Sequence, residues 1–278
     1  MWTTNFWSGR TNMPGSIELH ALADGRHFRK RRAVSWQRNV DYWLSSPLRH
    51  VADVGEYITD RAQAACSDSG VKQPILVDMG CGDGWLLRRL EQRHVGLTYY
   101  GLDFTREFID HGRAEFAQLD KVIFELVDLE RRCDRDFGAD LVVNAFNFFE
   151  LSDLDEAFAN ASRFLKPGGV LQVSTIDKTY LLLAVSTDMD DLRRKLRLYQ
   201  TLPGIKYCFQ PIDLGDQLSA TLEYPSVLYS TEDYLNAARK QDLMLLRYTE
   251  HPFTASSVPK IYCHFEFQKP PASGSVRR

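Results

Sequence analysis

Ile75-Leu-Val-Asp-Met-Gly-Cys-Gly-Asp-Gly84 is the stretch that decides the fold of this 278-residue chain. Its first three residues form an apolar run that is typical of a strand buried on both faces. Glycine then occupies every second position from Gly80 to Gly84, and the amphipathic pattern Trp85-Leu-Leu-Arg-Arg-Leu90 follows. The sequence therefore predicts a strand, a tight turn and a helix, with the free amides at the helix start facing a ligand.

The turn favours one kind of nucleotide ligand. Its spacing is G-x-G-x-G rather than G-x-G-x-x-G, and Asp78 precedes it. A carboxylate there repels a pyrophosphate but pairs with an ammonium group, which indicates an amino-acid-bearing nucleoside, and S-adenosylmethionine fits. A second apolar run ends in Asp103, about 20 residues past the turn, where an acid can accept from both ribose hydroxyls. Phe104 is then placed to stack on the adenine.

Further strands are predicted along the chain. Val122–Asp128 forms a third strand, and Asp140–Leu151 forms a fourth strand with the loop after it. An amphipathic helix comes next, and Phe164–Ser174 forms a turn that leads into a fifth strand. A sixth strand is predicted at Met244–Tyr248, and Lys260–Gln268 alternates like a half-buried seventh.

This succession resembles the class I S-adenosylmethionine-dependent methyltransferase family. The likeness is carried by Val77–Gly84, Gly101-Leu-Asp103, Asp128 and Leu165-Lys-Pro-Gly-Gly-Val-Leu171, and it covers residues 70–176. It implies an α/β fold of Rossmann-like type: a seven-stranded, mostly parallel sheet with helices on both faces, an N-terminal helical lid and a cap insertion after the fifth strand.

The resemblance also implies where the cofactor, S-adenosylmethionine, binds. Asp78, Gly80 and Gly82 are expected around its methionine part, and Asp103 at its ribose. Asp128 is expected at the adenine amino group with Leu129 beside it, and Asn144 under the sulfonium side. An alternative for Asp128 is that it caps a helix.

The remaining chain has to supply the acceptor site. Residues 1–70 are expected to form a helical lid, in which Tyr42 and Trp43 either close over the cofactor or attach the lid to the core. Residues 71–268 are expected to form the core, with the cap at about 177–229, and residues 269–278 a disordered tail. The cap is rich in aromatic residues that suit a small pocket and can face a sulfonium cation: Tyr180, Tyr199, Tyr207, Phe209, Tyr224 and Tyr229.

Composition favours an ordinary enzyme. With 44% hydrophobic residues the chain can bury one large core. The net charge is only −3, so nucleic acid is not expected as a partner. Five scattered cysteines without a C-x-x-C pair indicate neither a disulfide framework nor a zinc site. No run of about 18 apolar residues occurs, so no membrane partner is expected and a cytoplasmic location is predicted. A homodimer is left open.

One charged segment has two interpretations. Gly25-Arg-His-Phe-Arg-Lys-Arg-Arg32 is strongly basic. The favoured interpretation is a solvated helix face, because nothing else in the chain builds a basic stripe. The other is that this segment attracts an anionic acceptor, such as a carboxylate or a carrier-bound phosphate, to the lid.

Methyl transfer needs alignment more than acid–base chemistry, so a general base helps mainly an oxygen or carbon acceptor. Glu150 is the first candidate base, followed by His20 or His27, and Asn144 and Tyr180 are further catalytic candidates. No metal site is predicted. Asp153 and Asp155 follow Glu150 closely, but Ser152-Asp153 has the pattern of a helix start, where the helix dipole favours acids.

Three functions fit the sequence. The first is methyl transfer to nitrogen, oxygen or carbon of a small molecule, with specialised metabolism as its setting. The second is an enzyme of the same fold that consumes S-adenosylmethionine by cyclisation or lysis and releases methylthioadenosine; Asn144 and Tyr180 could hold the folded cofactor. The third is a non-catalytic protein that keeps the cofactor pocket. Room for an acceptor beneath the cap distinguishes the first two.

Overall fold

The structure is a computed structural model that describes residues 20–22, 26–45, 52–184, 186–202, 204–211, 223–253 and 260–272. Strands are numbered in chain order: β1 His20–Leu22, β2 Ile75–Met79, β3 Thr98–Asp103, β4 Val122–Leu126, β5 Ala139–Ala145, β6 Leu165–Ile176, β7 Ile205–Pro211, β8 Glu223–Val227, β9 Met244–Phe253 and β10 Lys260–Gln268. The helices are α1 Arg26–Ser45, α2 Ala52–Asp68, α3 Trp85–Gln92, α4 Arg106–Glu115, α5 Leu154–Phe164, α6 Lys178–Ala184, α7 Met189–Thr201 and α8 Thr231–Arg239.

The main sheet confirms the predicted fold class. Its seven strands lie in the order β4-β3-β2-β5-β6-β10-β9, and neighbours from β4 to β6 pair in parallel. Only β10 runs the other way, pairing antiparallel with β6 and β9. The carboxyl ends of β2 to β6 therefore meet at one edge, where ligands bind in open α/β sheets.

Helices cover both faces of this sheet. Residues of α2, α3 and α4 form one apolar core with the first face, and α5 and α8 form the other core with the opposite face. The strands between them are apolar on both sides, which explains why β2 and β5 read as continuous hydrophobic runs. None of the described helices combines the length and the apolar composition that a membrane span requires.

A small second sheet contains the predicted cap strands. β7 pairs antiparallel with β8, and β1 from the N-terminal segment pairs with the other edge of β7. Phe28 of α1 packs edge-on against Tyr207 of β7, with ring centroids 5.1 Å apart. The cap and the N-terminal segment therefore form one layer. Residues 212–222 of the predicted cap lie outside the described residues.

The structure changes the expectation for α2. Val54 and Ile58 belong to a segment expected to form part of the lid, yet both are buried in the core with α3. Because its apolar stripe faces the sheet, α2 is a core helix. Within residues 1–70, α1 is the described helix that contacts the strand ends, through Arg32 and Trp36.

The seventh strand, β10, is buried on both faces rather than on one. Phe265 and Phe267 pack against the α5 and α8 side, where Tyr234 stacks on Phe265. On the other face Glu266 accepts two hydrogen bonds from Arg61 of α2, at 2.5 and 3.0 Å. The alternation in the sequence therefore separates a strand face in the apolar core from a polar face that α2 covers. It does not mark a face that is exposed to solvent.

Two smaller expectations also changed. The predicted turn before the fifth strand is part of β6, which starts at Leu165 and shifts register before Val170, with Gly168 at φ +82°. Lys269, expected in the tail, donates to the carbonyls of Ser162 and Leu165 at 2.8 Å each. Residues 273–278 lie outside the described residues.

A substitution at Gly112 tests how closely α4 packs against the sheet. A Cβ at Gly112 would lie 2.5 Å from the Phe124 ring. Alanine normally favours a helix interior by about 1 kcal/mol over glycine, but overpacking costs about 1–3 kcal/mol. We expect Gly112→Ala to lower the free energy of unfolding, measured by urea denaturation. Gly96→Ala is the control, since a Cβ there meets no atom within 4 Å; equal stability of both variants would contradict the packing.

Candidate active site

The glycine turn after β2 forms a platform at the carboxyl edge of the sheet. The amides of Gly80 and Cys81 donate to the Leu102 carbonyl of β3, at 2.7 and 3.0 Å. Gly80 has φ +80°, and a Cβ there would lie 2.5 Å from the Asn147 side chain. Gly82 has φ +53°, but no atom lies within 4 Å of the place its Cβ would take. A ligand can therefore lie directly on the Gly82 backbone.

Asp103 holds this platform to the end of β3. Its carboxylate accepts from the amide of Gly82 at 3.1 Å and from the amide of Thr105 at 2.8 Å. Burial raises the pKa of Asp103, and these two backbone donors and the charge of Arg32 oppose that rise. Each carboxylate oxygen can accept a further hydrogen bond, so the predicted ribose contact is compatible with this structural role.

Asp78 lies beneath the turn, at the carboxyl end of β2. It is 1% exposed and accepts a hydrogen bond from the Tyr99 hydroxyl at 2.8 Å. Burial raises the pKa of Asp78 to about 7, the Tyr99 hydrogen bond opposes this, and the charges of Asp103 and Asp83 add to it. A cation bound nearby would favour the ionised form, which suits the expected ammonium group.

Asp128 lies in the loop after β4 and caps no helix, because the chain continues through a turn to β5. Its carboxylate accepts from the Glu130 amide at 3.1 Å and contacts Arg131 at 3.2 Å. Leu129 is 4% exposed, and its carbonyl accepts from Asn160, a fully buried residue of α5. The loop is thus fixed by the core, and the helix-cap alternative is wrong.

Asn144, at the end of β5, supports the site from below. It is fully buried, donates to the Met79 carbonyl at 2.6 Å and accepts from the Phe148 amide at 3.0 Å. Its side chain therefore positions the turn after β5 and is not available to touch a ligand. Asn147, which the sequence analysis missed, lies above Gly80, and its Oδ1 is buried without a hydrogen-bond partner.

Glu150 ends the short 3-10 turn Phe148–Glu150 after β5. It is 3% exposed, and its Oε2 accepts from the Trp36 indole at 2.5 Å. Burial raises the pKa of the Glu150 carboxyl to about 8; the Trp36 hydrogen bond and the Arg32 charge lower it, and the Asp103 charge raises it further. A carboxyl that ionises near the working pH is suited to general base catalysis.

Arg32 of α1 connects these acids, although it belongs to the segment predicted to be a solvated helix face. Lys30 is exposed as expected, but Arg32 is 3% exposed. Its guanidinium lies 4.6 Å from the centroid of the Phe104 ring and 3.0 Å from Glu130, and it donates to the Glu150 carbonyl at 2.9 Å. The spacing of Arg32 and Trp36, one helical turn, is the signal that could have placed both on one face.

Two buried polar atoms at this edge have no hydrogen-bond partner among the described residues. They are Asn147 Oδ1 and Arg32 Nε. Buried polar groups in proteins are normally paired, so these atoms are candidates for ligand contacts. Together with the open space over Gly82 and the Asp103 carboxylate, these atoms fit a polar nucleoside that carries an amino acid.

The side chains of four other predicted residues lie outside the described residues. They are Tyr42, Tyr180, His20 and His27, whose backbones fall in α1, α6 and β1. Trp43, Phe209 and Tyr224 are in the same position. In the described part of the chain, no three His, Cys, Asp or Glu side chains are arranged to hold a metal ion.

Comparison with known proteins identifies a sequence family that matches part of the chain. Residues 77–171 match a sequence family described as a methyltransferase domain. That segment runs from β2 through the glycine turn, Asp103, Asp128 and Glu150 into β6. This match and the fold support the predicted resemblance to the class I S-adenosylmethionine-dependent methyltransferases. S-adenosylmethionine is the cofactor of this family, as predicted.

A curated relative is similar to part of the chain. The malonyl-[acyl-carrier protein] O-methyltransferase of Hahella chejuensis is 29% identical over 124 residues, which is 45% of this chain and 42% of that protein. The chain therefore spans less than half the length of this relative.

Two solved structures share the fold. A SAM-dependent methyltransferase from Methanosarcina mazei has a TM-score of 0.56 at 13% identity, covering 72% of this chain and 94% of that one. The N-methyltransferase NodS from Bradyrhizobium japonicum, in complex with S-adenosyl-L-homocysteine, has a TM-score of 0.54 at 13% identity, covering 85% and 98%. At this identity the similarity establishes the fold alone.

Asp103→Ala tests the ribose assignment. Losing hydrogen bonds to a charged group costs about 1.5–3 kcal/mol, so we expect S-adenosylhomocysteine to bind roughly ten- to a hundredfold more weakly by calorimetry. The melting temperature should also fall, because the amides of Gly82 and Thr105 lose their acceptor. Asp134→Ala, which removes an exposed acid, serves as the control; an unchanged affinity in Asp103→Ala would remove the assignment.

Proposed function

We propose that this chain is an S-adenosylmethionine-dependent methyltransferase that acts on a small molecule. The observation that carries the proposal is the buried carboxyl of Glu150. It lies at the carboxyl edge of the sheet, the same edge at which the glycine turn and Asp103 lie. The cofactor, when bound, supplies a methyl group activated on a sulfonium sulfur. The chain has to bind the acceptor in line with that methyl group, exclude water and, for some acceptors, remove a proton.

Glu150 is proposed as the general base for a hydroxyl or carbon acceptor. Its Oε2 is fixed by Trp36, which leaves Oε1 for an acceptor proton. Trp36 of α1 binds this carboxyl and Arg32 binds the backbone carbonyl of Glu150, and the carboxyl has little contact with water. Glu150 accepts a proton only in its ionised form, so kcat/KM, which reports the free enzyme, should rise with pH through about 8.

The nature of the acceptor atom can be narrowed by chemistry. The Hahella relative is an O-methyltransferase by name, which supports an oxygen acceptor here. A carboxylate acceptor is already ionised at neutral pH and needs no base, whereas a hydroxyl acceptor does. A Glu150-dependent pH profile therefore supports a hydroxyl or carbon acceptor, and a flat profile supports a carboxylate.

The first experiment separates methyl transfer from self-consumption of the cofactor. Purified protein is incubated with S-adenosylmethionine alone, and the nucleosides are identified by mass spectrometry. We expect intact cofactor, because transfer requires an acceptor. Methylthioadenosine above the rate of a protein-free sample would instead establish the cyclising or lyase activity. Intact cofactor, followed by S-adenosylhomocysteine after addition of small hydroxy, amino and carboxylic acids, would exclude the non-catalytic alternative.

Glu150→Gln tests the base. With a hydroxyl or carbon acceptor, we expect kcat to fall about 10²- to 10⁴-fold and the rise of kcat/KM with pH to disappear, since an amide accepts no proton. Binding of S-adenosylhomocysteine should change little. Glu232→Gln, which removes an exposed acid of α8, is the matched control. If Glu150→Gln keeps wild-type turnover and the wild-type pH profile, Glu150 has only a structural role.

A further inference from the structure

Two lysine side chains converge on one aromatic ring in the cap layer. The Nζ of Lys178, at the start of α6, lies 4.5 Å from the centroid of the Tyr199 ring. The Nζ of Lys206, in β7, lies 4.3 Å from the same centroid. The Tyr199 hydroxyl donates to the Leu228 carbonyl at 3.1 Å, which fixes the ring between them. The distance between the two ammonium nitrogens is therefore at most the sum of these two distances.

Neither lysine has an acidic partner in the described part of the chain. In comparison, Lys195 pairs with Asp191 at 2.8 Å and Lys240 with Asp155 at 2.5 Å, whereas the exposed Lys72 and Lys121 also have no ion pair among the described residues. Lys178 and Lys206 make no such ion pair, and both are only partly exposed. Two like charges at one ring repel each other, so the arrangement is favourable only where the ring face, solvent or an anion compensates them.

Burial raises the pKa of Tyr199 to about 12, and two nearby carboxylates add to this rise. These are Asp177 and Asp233, and both are engaged elsewhere. Asp177 accepts from the Thr179 amide at 2.8 Å and from the Thr231 hydroxyl at 3.4 Å. Asp233 accepts from the amide and hydroxyl of Ser230 in the cap of α8. They leave the two ammonium groups without a direct counter-ion.

The backbones of the two lysines are tied to the carboxyl edge of the sheet, where the candidate active site lies. Lys178 comes two residues after the carboxyl end of β6, and its amide donates to the Tyr229 carbonyl at 3.2 Å. The Tyr229 hydroxyl in turn donates to the carbonyl of Leu151 at 2.8 Å, the residue after Glu150. Lys206 is tied to the same segment, because its carbonyl accepts from the Leu228 amide at 2.8 Å. One short chain of contacts thus connects the pair with the proposed base.

We propose that Lys178 and Lys206 bind an anionic group of the acceptor, a carboxylate or a phosphate monoester, away from the atom that is methylated. The acceptor is then an anionic small molecule. This proposal rests on the proposed methyl transfer for its biological meaning, but the anion site itself can be measured without any turnover.

The test is a calorimetric titration of the full chain, saturated with S-adenosylhomocysteine, with inorganic phosphate and separately with succinate. We expect at least one of the two anions to bind to wild type. In Lys178→Met/Lys206→Met the affinity should fall about tenfold or more, while Lys178→Arg/Lys206→Arg should keep it, because arginine retains the charge. The control Lys72→Met/Lys121→Met removes the same charge from exposed lysines at the opposite edge of the sheet and should bind like wild type.

Each outcome decides between specific interpretations. Preference for phosphate over succinate identifies a phosphate monoester, and the reverse identifies a carboxylate. The proposal is overturned if neither anion binds wild type, if the methionine pair binds like wild type, or if the control loses affinity equally. Failure of S-adenosylhomocysteine to bind would overturn the proposed function instead; the titration is then repeated without it, and the lysine pair is judged on the same criteria.

Discussion

The Asp103 carboxylate holds together the part of the molecule on which the rest depends. It binds the Gly82 amide from one loop and the Thr105 amide from the next, so the turn after β2 and the end of β3 form one unit. Backbone amides in that unit have a fixed direction before any ligand arrives, which limits the entropy lost on binding. The same carboxylate keeps acceptor capacity for a ligand, so platform rigidity and cofactor recognition are linked through one side chain.

The buried acids at this edge of the sheet are stabilised in their ionised form by a cation bound near them. Asp78 and Glu150 have raised pKa values of about 7 and about 8, and the pKa of Asp103 is raised as well. Arg32 is the buried cation that the described residues place among them. A sulfonium or ammonium group entering the site would favour the ionised acids, and ionised acids would in turn favour its binding. The cofactor charge and the ionisation of Glu150 are therefore coupled, and the pKa of Glu150 should be lower in the complex than in the free protein.

The sequence predicts the local part of this site and misses the long-range part. The strand, glycine turn and helix around Gly80, and the acid at Asp103, follow from residue type and spacing over short distances. Trp36 and Glu150 are separated by 114 residues, and only the packing of α1 across the strand ends brings them together. The burial of β10 on its polar face was missed for the same reason, since it depends on Arg61 of α2 meeting Glu266. Patterns along one chain segment do not encode which distant helix covers it.

The groups proposed to bind the acceptor or to adjust the proposed base lie outside residues 77–171, the segment that matches the methyltransferase-domain family. Arg32 and Trp36 come before it, and Lys178, Tyr199 and Lys206 come after it. Within the segment, Glu150 is positioned by backbone geometry. Burial raises the pKa of its carboxyl, and the Trp36 indole and the Arg32 guanidinium of α1 oppose that rise. A related chain with the same core and a different α1 would therefore hold the same cofactor with a carboxyl of different basicity. Acceptor choice in this architecture can change through the N-terminal helix and the cap while the cofactor platform stays as it is.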